Sequence, residues 1–175
     1  MRAHDDFMTD TYPAFDVSPV PVPTTDAVPP EQFRGLYGMP MFVSVPTSDL
    51  AESADFWIRG LGFFDLFSVP DRLTHLRRWA FQDVLLVPGE RADSPPSISV
   101  SFACVLSQID QIAKACEELR PGCTSGPDLK PWNSLELEIV TPENARVIMT
   151  AARPYDPNSA EAEHLRGMGI DGPDD

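Results

Sequence analysis

Two stretches of this chain carry the same order of elements. Residues 39–88 read as strand, helix, strand, strand, strand, and residues 97–151 repeat that order. Few folds accept a duplicated unit of roughly 50 residues with one helix and four strands. In the first unit "MPMFVSV" (39–45) alternates as a strand does. "SDLAESADFWIRGLGF" then sets Leu50, Ala54, Trp57, Ile58 and Leu61 on one helical face, with Ser48 as the N-cap and Gly62 as the stop. "FFDLFSV" (63–69), "THLRRWA" (74–80) and "DVLLVP" (83–88) supply three further strands. After the loop "GERADSPP" the second unit opens with "SISVSFACVL" (97–106). A helix from Gln108 to Arg120 follows, its apolar face formed by Ile109, Ile112, Ala113, Cys116 and Leu119. Short strand material at Gly122 to Ser125, "SLELEIV" (134–140) and "ARVIMTA" (145–151) complete it.

One helix cannot cover both faces of such a sheet. Two units side by side leave a concave surface open, so the fold class is α+β: two tandem βαβββ modules forming a cupped antiparallel sheet with a ligand cleft. A chain of 175 residues has room for one such domain, spanning 37–152. Residues 1–36 contain "DVSPVPVPTTDAVPPEQ", whose prolines remove ladder donors and break helices, and read as an extended, flexible arm. Residues 153–175 read as an acidic tail, with one helical turn around Ala160 to Leu165.

Charge and cysteines limit the partners. The formal net charge of −14 comes with no Lys/Arg cluster, so a phosphate backbone is a poor partner and a cationic small molecule a good one. Cys104, Cys116 and Cys123 have no metal-ligand spacing and are odd in number, no apolar run reaches membrane-spanning length, and the N-terminus lacks the pattern of a secretory signal. The expectation is a cytoplasmic protein with reduced thiols that binds neither nucleic acid nor membrane.

The run "MPMFVSVPTSDLAESADFWIRGLGF", with its proline, its Asp before the helix, its Phe-Trp pair and its Leu-Gly-Phe end, resembles the glyoxalase, bleomycin-resistance and extradiol dioxygenase superfamily, the vicinal oxygen chelate proteins. "SGP" (125–127), "PW" (131–132), Glu136 and Pro142 resemble the antibiotic-binding branch, the bleomycin resistance proteins. The resemblance covers 37–152. It implies paired βαβββ modules and a homodimer in which a proline, here Pro40, lets the first strand cross to the partner. It also implies a divalent metal in the enzymes, held by His or Glu on the first and last strands of each module. The corresponding positions here are Met41 or Phe42, Leu85, Ser99 and Ile148, so no metal and no other cofactor is expected.

No nucleophile motif is present, and no catalytic residue is assigned. His75 is the one histidine inside the two modules, and a single strand histidine is more often core or rim. Trp132 precedes a strand where no apolar stripe needs a large ring, and by the resemblance it flanks the cleft. Glu136 shares a strand face with Glu138 and would attract a cation. Phe67, His75, Trp79 and Phe102 are assigned to the same wall from strand placement alone. The favoured reading is non-catalytic binding and sequestration of a small toxic metabolite or antibiotic, cationic and aromatic in character. The alternatives are a metal-free isomerase or cyclase and a regulatory interaction module.

Overall fold

The computed structural model describes residues 23–35, 37–38, 41–170 and 172. The arm before residue 23 and Pro40, on which the expected crossing of the first strand to a partner rests, lie outside the described residues. The first module consists of β1 (Val43–Thr47), α1 (Leu50–Asp55), a π-helical turn (Phe56–Gly60), β2 (Phe64–Val69), β3 (Leu73–Arg77) and β4 (Asp83–Pro88). The second consists of β5 (Val100–Cys104), α2 (Leu106–Leu119), β6 (Thr124–Lys130), β7 (Ser134–Val140) and β8 (Arg146–Ala152). α3 (Ala160–Gly167) follows, capped by the Ser159 side chain, with Ala162 and Leu165 buried.

Each module is one four-stranded sheet, ordered β1-β4-β3-β2 and β5-β8-β7-β6. Three strands of each run antiparallel, while the first is parallel to the last: Val43 to Thr47 face Val84 to Pro88, and Val100 to Cys104 face Val147 to Ala151. The sheets are therefore mixed. The repeat read from the sequence is thus a repeat of topology, down to which pair of strands is parallel.

Local chemistry explains the ends of α1. Asp49, not Ser48, caps it: the Asp49 carboxylate accepts from the Glu52 N–H at 2.9 Å, and a carboxylate at that end also faces the positive pole of the helix. Gly62 ends the segment with φ +75, a conformation in which a side chain would be strained. Between them the helix widens into a π turn that carries Trp57 inward. Gly60 lets α2 approach, since a Cβ there would sit 3.0 Å from the Cys116 sulfur.

A single apolar core joins the modules. At its centre three rings meet edge to face: Trp57 and Phe63 at 5.0 Å, Phe63 and Phe102 at 5.1 Å, Trp57 and Phe102 at 6.0 Å. Two belong to the first module and one to the second. Arg78 adds a polar staple. It is 2% exposed and donates to the Leu61 carbonyl at 3.1 Å, the Ala103 carbonyl at 3.0 Å and Gln108 Oε1 at 3.0 Å.

Candidate functional site

Strand β1 pairs with neither β5 nor β8, and the space between it and that parallel pair is a cavity of about 330 Å³. Val43 and Val45 of β1 line it, as do Val100 of β5, Val147 of β8 and Trp57 of the π turn. The peptide joining the modules contributes Pro96 and Ile98, and the β7–β8 turn contributes Glu143 and Asn144. Most of this lining is apolar, as expected for a site that holds an organic molecule by burial.

The turn "TPEN" is built to point inward. Asn144 has φ +63, a left-handed conformation that Asn tolerates better than most residues, and its N–H returns to the Thr141 carbonyl at 2.9 Å. The Asn144 amide then clasps the linker. Its Nδ2 donates to the Ala92 carbonyl at 2.6 Å, and Arg91 donates to its Oδ1 at 2.8 Å. One residue earlier, Glu143 is only 4% exposed. Its Oε1 accepts from the Trp57 indole N–H at 2.5 Å and its Oε2 from the Ser53 hydroxyl at 3.0 Å, while Ser53 shares a further hydrogen bond with Thr47 at 2.8 Å. A buried carboxylate normally has a cationic partner. Among the described residues no ion pair includes Glu143. Arg146, the cation in the cavity wall, is taken up by Glu138 through two bonds of 2.7 and 2.8 Å.

The six residues singled out from the sequence fall in four places, and none lines this cavity. Trp132 and Glu136 do come together: the indole, on a residue 53% exposed, donates to Glu136 Oε1 at 2.8 Å, and Ser134 donates to the same oxygen at 3.0 Å. Phe67 and His75 lie opposite each other on β2 and β3. Trp79 stands in the β3–β4 turn beneath the Arg78 guanidinium, 4.8 Å from its ring centre. Phe102 is a core ring.

His75 has an acid beside it that sequence spacing did not suggest. Its Nε2 is 2.6 Å from Asp83 Oδ1, and Asp83 is buried together with Arg77, whose Nε lies 2.9 Å from the same oxygen. Arg77 also donates to the carbonyls of Phe33 and Gly35, and its guanidinium lies 4.1 Å from the Tyr37 ring centre. The Tyr37 hydroxyl donates to Asp83 Oδ2 at 2.8 Å, and burial pushes that phenol above its ordinary pKa. The end of the N-terminal arm is thereby fastened to β3 and β4.

The donor set does not suit a divalent metal. The sheet ladders set Ser44 opposite Leu85 and Ser101 opposite Ile148, and among the described residues no three His, Cys, Asp or Glu side chains converge. The register also puts Ser101, not Ser99, at the strand position facing Ile148. No helix among the described residues is long and apolar enough to cross a membrane.

Glu143 was missed from the sequence because a Glu between Pro and Asn in a turn is ordinarily solvated. The turn "TPENA" carries no periodicity that would assign its acid to the inside.

No protein-family model and no curated protein matches this sequence. Solved structures do. An integron cassette protein from the mobile metagenome of a Halifax Harbour sewage outfall is 24% identical, with 66% of this chain and 99% of that one covered and a TM-score of 0.51. A glyoxalase-related enzyme from Clostridium phytofermentans is 18% identical, with 69% and 99% covered and a TM-score of 0.51. The fosfomycin resistance protein FosX from Listeria monocytogenes, complexed with Mn(II) and a sulfate ion, is 11% identical, with 77% and 99% covered and a TM-score of 0.55. At these identities the likeness is one of fold. The chain is an α+β protein with the vicinal oxygen chelate fold, two tandem βαβββ modules in one polypeptide.

Proposed function

We propose that this chain captures a small toxic metabolite or antibiotic in the cavity between its modules and releases it unchanged. The observation that carries the reading is the cavity's lining: a largely apolar, partly open cleft of about 330 Å³ with no His or Cys in its wall and with its arginine already engaged by Glu138. Such a site offers apolar burial around a single oriented carboxylate, Glu143, with no imidazole or thiol beside it to act as a nucleophile, which suits retention. The fosfomycin resistance proteins and the glyoxalase-related enzyme share the fold alone, so the capture reading rests on the cavity.

A second reading, a metal-free enzyme, has the His75–Asp83 contact of 2.6 Å on its side, because a buried carboxylate fixing an imidazole is a general-base arrangement. One experiment separates the two. A compound library screened by thermal shift finds ligands irrespective of turnover, since a ligand stabilises by RT ln(1 + [L]/Kd). Mass spectrometry of the recovered compound then gives the answer. Recovery of intact ligand after prolonged incubation supports capture; conversion that disappears in His75→Gln makes the protein an enzyme and ends the sequestration reading.

A further inference from the structure

We propose that Glu143 is the recognition group for an ammonium, or another N–H cation, carried on a compact apolar body. This rests on the cavity being the ligand site and names the chemical class it takes. An ionised carboxylate offers about four acceptor positions. Two are used, by the Trp57 indole and the Ser53 hydroxyl, and both donors are neutral. The group is 4% exposed, sits in the cavity wall and has no ion-pair partner among the described residues. A guest cation supplies both the missing charge and donors for the remaining acceptor positions. The surrounding valines, Pro96 and Ile98 cover the guest's apolar part.

The hydrogen bonds that hold Glu143 also orient it. Thr47 on β1 is bonded to Ser53 on α1, which donates to one carboxylate oxygen, while Trp57 on the π turn donates to the other, so the acceptor is fixed before a ligand arrives. Arg91, the nearest cation in sequence to the clasp, donates to Asn144 and has no bond to Glu143. Binding at this carboxylate selects against neutral isosteres, because an alcohol or hydrocarbon leaves the charge uncompensated.

The test uses the full chain and three probes of nearly equal shape: benzylamine, benzyl alcohol and toluene, titrated by calorimetry and ligand-observed NMR. The expected result is that benzylamine binds roughly tenfold or more tighter than benzyl alcohol. Glu143→Gln is expected to abolish that preference while changing toluene affinity by less than about twofold. Should the variant not fold, wild-type discrimination and a nuclear Overhauser contact between the benzylamine methylene and the Trp57 indole N–H decide alone. Equal binding of amine and alcohol, or a preference that survives Glu143→Gln, overturns the role of Glu143 and leaves the cavity standing. Failure of all three probes to bind overturns the cavity reading as well.

Discussion

Arg78, the residue after the first module's β3, donates through Nη1 to the carbonyl of Ala103 on β5 at 3.0 Å, which places a cation from one module on the backbone of the other. Its remaining bonds go to Leu61 and Gln108, and no carboxylate shares the site with it among the described residues. Burial lowers its pKa from the ordinary arginine value, the direction expected of a desolvated cation. Replacing it with methionine, which fills similar space, leaves two buried carbonyls without their donor. Arg78→Met is expected to destabilise the fold by about 3 kcal/mol, read as a lower urea midpoint. A loss below about 0.5 kcal/mol would show that the carbonyls find other donors.

Two tryptophans give opposite outcomes. Trp57 is fully buried against Phe63 and Phe102, and Trp57→Ala is expected to cost about 3–5 kcal/mol in a denaturant titration. Trp132 is half exposed in a turn, and Trp132→Ala is expected to leave the denaturation midpoint nearly unchanged. The same variant also separates two locations for the ligand. Benzylamine affinity unaltered in Trp132→Ala places binding in the cavity; a large loss places it on the exposed face by Glu136.

Acid sensitivity has identifiable sources. Glu117 accepts from the Thr124 hydroxyl, the Gly122 N–H and the Thr124 N–H, which hold its pKa below the ordinary 4.5, and Arg146 does the same for Glu138. A carboxyl depressed in the folded state stabilises above its unfolded pKa and loses that contribution as pH falls through the folded value. Stability should therefore decline as pH drops below about 4.5. Glu117→Gln should be less stable than wild type at neutral pH, and the gap should close in acid, as followed by thermal melts across pH. A gap that stays constant with pH would mean that the carboxylate's charge is not what Thr124 and Gly122 recognise.

The thiols should be silent in the folded protein. Burial pushes Cys104 to about 11 and Cys116 to about 12, and Cys123 is raised as well, again with burial as the leading cause. At pH 8 almost no thiolate is present and access is blocked. Ellman's reagent is expected to find no reactive thiol in the native protein and three after denaturation. Rapid reaction of even one native thiol would contradict the burial of that residue.

The architecture was legible because it depends on spacing. Apolar residues at helical intervals marked α1 and α2, and the recurrence of strand, helix and three strands marked the two modules. Boundaries shifted where capping chemistry decided between neighbours, as with Ser48 and Asp49. α2 begins at Leu106, two residues before the Gln108 start read from its stripe, and β6 runs on to Lys130. The site was less legible, because its polar group reaches the cavity through a turn. No periodicity assigns a side chain in a turn to the inside, so Glu143 looked like any loop acid. Phe102 was assigned to a ligand wall from strand placement, yet it belongs to the face that packs on Trp57 and Phe63. Trp132 and Glu136 were assigned to one ligand wall by the resemblance and by strand face; they are hydrogen-bonded to each other at a place apart from the cavity, a pairing the sequence did not suggest.

In most proteins built from two units, the connecting peptide is where length varies freely, since it crosses solvent and supports nothing. Here that peptide is also masonry. Ala92 is bound to Asn144, and Pro96 and Ile98 stand in the cavity wall. An insertion or deletion between residues 89 and 98 would therefore change the dimensions of the cavity together with the tether, because the stretch of backbone that makes the two modules one chain is also one of the cavity's walls.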